Sequence, residues 1–265
     1  MERAMQKTVA VSSDSWVTID VYGEVDAPGL VMVPGVMSDA HAWRHIAREI
    51  HAWPSVAVVN RRGRTPSGPL TPTYTLRTEI ADLVAVLDEL QGTEALFGWS
   101  YGGLIALMAT DERPVQQVVA YEPVIRPFAR DALPALAAAA VDQDWDRSVE
   151  IVNMHISGFP SDHVQALRAD RQGWSTLRRL SEPLHAELAA LNASQAPDML
   201  ARRAKHIDLV IGEANLGSGP YGTPFEEIRR RVDQPHVQVL PGQGHLAHIH
   251  APAELGRFLD RLARC

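Results

Sequence analysis

Residues 94–103 read Glu-Ala-Leu-Phe-Gly-Trp-Ser-Tyr-Gly-Gly, and this stretch decides the fold. A short apolar run ends at Gly98-Trp99-Ser100-Tyr101-Gly102, and a helical pattern of apolar residues follows from Leu104 to Ala109. A serine between two glycines, where a strand meets a helix, is typical of a nucleophile held on a tight turn. The helix that begins there would point its first N–H groups at an anion formed beside Ser100. The motif is short and occurs by chance as a plain turn, so partners elsewhere must support it.

Short apolar runs along the rest of the chain predict a parallel sheet. Because these runs do not alternate with polar residues, they suit strands that are covered by helices on both faces. Val17–Val21 does alternate, and we expect it to pair with Thr8–Ser12 as a further two strands. With helical stretches between the runs, the chain is predicted to form a doubly wound α/β domain around a mostly parallel, eight-stranded sheet. The runs are Leu30–Val33, Val56–Val59, Ala95–Phe97, Val118–Tyr121, Leu209–Gly212 and Val237–Leu240.

Residues 124–205 break the alternation of strands and helices. Their sequence predicts mainly helices, which are separated by prolines. We predict a helical lid inserted into a core domain that comprises residues 1–123 and 206–265. Such a lid would shape the substrate pocket, with Phe128 and Met154 among the lining residues. The alternative is that these side chains form the lid's own core.

Composition narrows the class of protein. The chain has 265 residues, of which 46% are hydrophobic and 22% charged, as in an ordinary globular domain. A formal charge of −7 argues against a nucleic-acid surface, and the tightest basic cluster (Arg61, Arg62 and Arg64) is too short to outweigh it. The first 20 residues contain no apolar core and no apolar run approaches about 18 residues, so we expect neither a signal peptide nor a membrane span. The only cysteine is Cys265, which fits a reducing compartment. We therefore expect a cytoplasmic monomer or homodimer that acts on a small molecule.

A serine hydroxyl needs an adjacent base to become a nucleophile, and the candidate base is His245. It ends the stretch Pro241-Gly242-Gln243-Gly244-His245, directly after the last predicted core strand. This loop belongs to the same edge of the sheet as Ser100, and its glycines would let it bend back. His248 and His250 follow closely, but their spacing matches no common zinc pattern, so no metal is predicted.

The strand Leu30–Val33 is followed by Pro34-Gly35-Val36-Met37, and this loop is the candidate oxyanion hole. Two backbone N–H groups are needed, and we expect them from Val36 and from Tyr101, the residue after the serine. An ordinary turn is the alternative. Candidate pocket residues near this site are Met37, Trp99 and Leu246.

Taken together, these motifs make the chain resemble the α/β-hydrolase fold family. Four motifs follow one another along the chain in the order that is usual for this family. They are Pro34-Gly35, Arg62-Gly63-Arg64, the turn at Gly98–Gly102 and Gly244-His245. The resemblance covers nearly the whole chain outside residues 124–205. It departs at Pro34, where relatives usually carry histidine, but this change leaves the N–H donors intact.

Besides the serine and the histidine, the family uses an acidic residue that orients the histidine, and the position of this acid is unusual in this chain. The family usually places an aspartate three residues after the glycine that follows the penultimate core strand, where this chain has Asn215. An amide can orient a histidine, but it cannot stabilise the imidazolium by charge. Some members, including a group of haloalkane dehalogenases, carry a glutamate after the preceding strand, where this chain has Glu122. We predict Glu122 as the acid, with Glu213 as an alternative acid and Asn215 as a possible neutral orienter.

A serine nucleophile implies acyl transfer through an acyl-enzyme intermediate. It argues against dehalogenase or epoxide hydrolase chemistry, for which the family places an aspartate at that position. We therefore predict a hydrolase of carboxylic esters, lactones or thioesters that needs no metal or organic cofactor. The alternatives are an acyltransferase or cyclase, a hydrolase of carbon–carbon bonds, and a small-molecule-binding protein without turnover.

Overall fold

The apolar runs that predict strands lie side by side in a single sheet of the computed structural model, which describes residues 4–12, 14–25, 27 and 29–263. Within these residues the sheet has eight strands in the order β1-β2-β4-β3-β5-β6-β7-β8. The pairs β1·β2 and β2·β4 are antiparallel, and all later neighbours are parallel. The strands are β1 (Met5–Val11), β2 (Ser15–Gly23), β3 (Gly29–Val33), β4 (Ser55–Asn60), β5 (Thr93–Trp99), β6 (Gln117–Tyr121), β7 (His206–Gly212) and β8 (His236–Leu240).

Helices cover both faces of the sheet, as the doubly wound prediction requires. Alternate residues of β3 show why: Val31 and Val33 pack against one hydrophobic cluster, and Leu30 and Met32 against the other. Both faces of the strand are therefore buried, and the predicted fold class is confirmed. The helices are α1 (Arg44–Glu49), α2 (Leu76–Glu89), α3 (Tyr101–Ala109), α4 (Leu133–Val141), α5 (Trp145–Glu150), α6 (Ser161–Ala169), α7 (Arg171–Ser181), α8 (Leu184–Ala193), α9 (Gly222–Arg229), α10 (Ala247–His250) and α11 (Pro252–Leu262).

Between β6 and β7 the chain runs through α4 to α8, and α5 continues directly into a π-helical turn at Ile151–Ile156. Buried apolar residues of α8, such as Leu184 and Leu188, join the core cluster that also contains α2 and α3. Cys265 lies outside the described residues. Among those described, no helix combines the length and the apolar character that crossing a bilayer would require.

Candidate active site

Ser100 lies on the turn between β5 and α3, with backbone angles φ 57° and ψ −122°. A left-handed φ is strained for a residue with a side chain, and close packing holds the turn in place. A Cβ on Gly98 would lie 2.4 Å from the carbonyl oxygen of Gly102, and a Cβ on Gly102 would lie 2.1 Å from that of Val33. Only glycine fits at these two positions. The two glycines therefore allow the tight turn in which Ser100 adopts its strained backbone conformation.

His245 and Glu122 are brought together from loops that follow β8 and β6. Nδ1 of the imidazole lies 2.7 Å from Oε2 of the glutamate. The backbone of the histidine loop is held by two core side chains: Nε1 of Trp99 donates to the carbonyl of His245 at 2.8 Å, and the Tyr121 hydroxyl donates to that of Gly244 at 2.6 Å. The imidazole therefore has a defined position at the same edge of the sheet as Ser100.

The Glu122 carboxylate is fully buried, and every hydrogen bond described for it comes from the site. Its Oε1 accepts from the backbone N–H of Gly212 at 2.9 Å. The side-chain amide of Asn215 donates to both carboxylate oxygens, at 2.9 and 3.0 Å. Asn215 thus donates to the carboxylate, and none of its described hydrogen bonds goes to the imidazole. The carboxylate of Glu213 instead accepts from the backbone N–H of Gly242 at 2.7 Å.

Burial sets the protonation of the two histidines near the site. Loss of solvation lowers the pKa of His245 below its ordinary value, although the hydrogen bond and the charge of Glu122 act in the opposite direction. Burial likewise lowers the pKa of His248 to about 3. The His248 ring stacks on Trp43, with centroids 4.8 Å apart and planes 2° from parallel. Both rings are thus neutral near pH 7, and no group of three metal-binding side chains occurs in the described part of the chain.

The loop after β3 lies directly against the serine turn. A Cβ on Gly35 would come within 2.9 Å of the Ser100 Cβ. The N–H groups of Val36 and Tyr101 have no hydrogen-bond partner among the described residues. Two unpaired donors therefore flank Ser100, as an oxyanion site requires.

A cavity of about 150 Å³ opens beside Ser100 and His245. Four of the five residues expected to line it do so, namely Met37, Trp99, Phe128 and Leu246. Met154 does not line the cavity, which corrects that expectation. The π-helical turn directs its residues Val152 and Ile156 to the cavity, whereas Met154 packs in a separate cluster with Val149, Val164 and Trp174.

The sequence analysis missed Tyr221, whose ring lies parallel to that of His245. Its hydroxyl is 2.9 Å from the Ser157 Oγ, and both residues line the cavity. Burial raises the pKa of the Tyr221 phenol, which keeps it neutral. One feature of the sequence could have indicated Tyr221. It is the large aromatic residue in the stretch from Gly217 to Gly222, whose other residues are small and are typical of a loop.

The arrangement agrees with a comparison of the whole sequence. A model of the alpha/beta hydrolase family matches residues 30–257. The chain belongs to the alpha/beta hydrolase family. The match spans the serine turn, the histidine loop and the intervening helical segment of this alpha/beta hydrolase.

Solved structures share the fold at low sequence identity. An alpha/beta hydrolase from Sphaerobacter thermophilus is 23% identical, with a TM-score of 0.76 over 96% of this chain and 99% of the other. The enol-lactonase from Burkholderia xenovorans is 16% identical, with a TM-score of 0.74 over 96% and 98% of the two chains. Naproxen esterase from Bacillus subtilis is 18% identical, with a TM-score of 0.67 over 98% and 91%. No curated protein sequence matches this hydrolase significantly.

Proposed function

We propose that this alpha/beta hydrolase cleaves a carboxylic ester, lactone or thioester through an acyl-enzyme intermediate on Ser100. One observation carries the proposal. The buried Glu122 carboxylate lies 2.7 Å from Nδ1 of His245, in a loop that shares a cavity with Ser100. A nucleophile, a base and a group that orients the base are together the requirement for activating a serine.

In the proposed mechanism, Glu122 accepts the Nδ1–H of His245 and so leaves Nε2 free to act as a base. Ser100 attacks the substrate carbonyl carbon while Nε2 takes the hydroxyl proton. The N–H groups of Val36 and Tyr101 hold the negative oxygen of the tetrahedral intermediate. His245 then gives the proton to the leaving group, and a water molecule deprotonated by the same nitrogen releases the acid.

The cavity favours a short, uncharged acyl group. Its lining is mainly apolar, with Val36, Phe128 and Ile156 among the residues around Ser100, and no lysine or arginine lines it in the described chain. A free carboxylate on the acyl chain would therefore be desolvated without a lysine or arginine to compensate it. A volume of about 150 Å³ is small for a ligand pocket, since such pockets typically span about 300–1,000 Å³. The names of two structural neighbours, an enol-lactonase and an esterase, agree with ester and lactone chemistry.

Hydrolysis of p-nitrophenyl esters of increasing acyl length tests the proposal. We expect turnover that is highest for short acyl chains and abolished in Ser100→Ala. Ser157→Ala is the matched control, because this serine lines the same cavity but lies outside the strained turn. Hydrolysis that survives in Ser100→Ala, or is absent from the unmodified protein with every ester and lactone tried, would overturn the proposal.

A further inference from the structure

A buried arginine lies behind the loop that carries Val36. The Arg61 Nε donates to the carbonyl oxygen of Pro34, and its Nη2 donates to that of Gly35, both at 2.9 Å. The side chain is 2% exposed, so these bonds form out of contact with bulk water. Two successive carbonyls of the loop are therefore held by one rigid, planar group.

The carbonyl of Gly35 belongs to the same peptide group as the N–H of Val36. The bond between them is not among the cis peptides of the described chain, so its C=O and N–H point in opposite directions. A donor fixed on the oxygen therefore turns the N–H away from Arg61. Rotation of this peptide would break a buried hydrogen bond from a charged group, which is stronger than a bond between two neutral groups.

Carboxylates hold the guanidinium in this position. Nη1 lies 2.6 Å from Glu79, and Nη2 lies 2.7 Å from Glu187, which also binds Nη1 of Arg64 at 2.8 Å. Burial opposes the charge, but Glu187 and Glu79 more than offset it and raise the pKa of Arg61 above its ordinary value. Two arginines face two carboxylates, so the cluster is close to neutral overall. Its influence on an oxyanion would thus come mainly from orientation rather than from net charge.

We propose that Arg61 is a positioning residue for the oxyanion hole, which fixes the Gly35–Val36 peptide so that the Val36 N–H faces the reacting oxygen beside Ser100. The inference rests on the proposed function, because it assigns Arg61 to the tetrahedral intermediate of that reaction. It also gives a role to Glu187 of α8, which connects the helical segment to this loop through Arg61.

Arg61→Lys tests the proposal, because a lysine keeps the charge but not the planar pair of donors. We expect kcat for a p-nitrophenyl ester to fall roughly 10- to 100-fold, less than the 10²–10³-fold lost when an oxyanion donor is removed outright. KM should stay within about twofold, since the substrate carbonyl is held mainly in the transition state. Affinity for a trifluoromethyl ketone, which forms a tetrahedral adduct, should fall by the same factor as kcat.

Arg62→Lys is the matched control. It makes the same change at the neighbouring buried arginine, whose described side-chain bonds go to Asp82, and it leaves both bonds from Arg61 to the loop, so kcat should stay within about threefold. Equal losses in the two variants, or an unchanged ratio of ketone affinity to KM in Arg61→Lys, would overturn the proposal. Arg61→Gln, which removes both the charge and the planar pair of donors, provides the same comparison of ketone affinity with KM if the lysine variant does not fold. Failure of both to fold would assign Arg61 to the core instead. An unmodified protein that hydrolyses no ester, lactone or thioester refutes the proposed function itself, which separates the two outcomes.

Discussion

The phenol ring of Tyr221 lies flat on the imidazole of His245, with ring centroids 3.4 Å apart and planes 8° from parallel. The Tyr221 hydroxyl bonds to Ser157, which directly follows the π-helical turn. One face of the proposed base is therefore covered by a side chain that is itself held by the helical segment. The position of the imidazole depends on this contact as well as on Glu122.

Tyr221→Ala removes that cover, and we expect kcat/KM to fall roughly 10- to 100-fold, because misplacing a catalytic group by about 1 Å can cost on the order of 10²-fold. Tyr221→Phe keeps the ring and loses only the hydroxyl, and Ser157→Ala removes the partner of that hydroxyl. Both variants thus break the same hydrogen bond and leave the ring on His245. These two variants should therefore resemble each other and stay within a few-fold of the unmodified protein. If Tyr221→Ala hydrolyses esters as fast as Tyr221→Phe, the ring does not position the base.

The pH dependence of kcat/KM reports the protonation of His245 in the free enzyme. Only the neutral imidazole can take the proton of Ser100, so activity should fall as the pH drops through the pKa of His245. Because burial lowers that pKa, we expect the acid limb of the profile to lie below pH 6.5. Tyr221→Ala, which exposes the ring, should move the limb upward toward 6.5. A limb at or above 6.5 in the unmodified protein contradicts the buried site.

Glu122→Gln should lower kcat at least 100-fold with little change in thermal stability. The amide can donate to Nδ1 and so favour the tautomer whose Nε2 carries a proton, and the comparable Asp→Asn change in a serine protease costs about 10⁴-fold. Loss of the carboxylate also removes both effects that raise the pKa of His245, so the acid limb should shift further down. Glu213→Gln is the control, since that carboxylate bonds to the backbone of Gly242. Comparable losses in the two variants would refute the assignment of Glu122.

Ile156→Ala should shift the preferred acyl length toward longer chains, because this side chain lines the cavity beside Ser100. Each additional buried methylene contributes about 0.8 kcal/mol, or about fourfold in kcat/KM. Met154→Ala changes the same π-helical turn on its other side and should leave the length profile unaltered. The profile of kcat/KM against acyl length measures both variants. A shift in the Met154 variant alone would mean that the cavity is lined differently.

Local sequence predicted the sheet and the serine turn because local physics determines them. Apolar runs without alternation need two covered faces, and the close packing at Gly98 and Gly102 admits no side chain. The fold class and family followed from these patterns. The candidate base His245 could be named because its loop follows the last strand, which places it at the same edge of the sheet as Ser100.

Contacts between distant segments could not be predicted in the same way. The sequence favoured Glu122 as the acid and kept Glu213 and Asn215 as alternatives. Only the folded chain places the Glu122 carboxylate at Nδ1 of His245, with the asparagine amide on that carboxylate. Tyr221 reaches His245 through a loop whose path its composition does not determine. Met154 was misplaced because a π-helical turn changes which residues face the cavity.

The stretch at residues 61–64 was read as a short basic cluster and, at Arg62-Gly63-Arg64, as part of the resemblance to the family. Its arginines are buried, and carboxylates from α2 and α8 surround them: Glu79 pairs with Arg61, Asp82 with Arg62, and Glu187 with Arg61 and Arg64. A sequence motif shows the arginines but not the side chains that fold against them. The bonds from Arg61 to the loop carbonyls could therefore not be predicted from the sequence.

The central claim is that Ser100 carries the acyl group, and mass spectrometry of an acid-quenched reaction tests it most directly. The protein is mixed with excess p-nitrophenyl ester, quenched within the first turnover and analysed intact and after proteolysis. We predict a mass increase of one acyl group, located on Ser100 and absent from Ser100→Ala. Two results would contradict the account. One is a burst of p-nitrophenol release with no acylated protein in the quenched sample. The other is an acyl group on another residue that persists in Ser100→Ala.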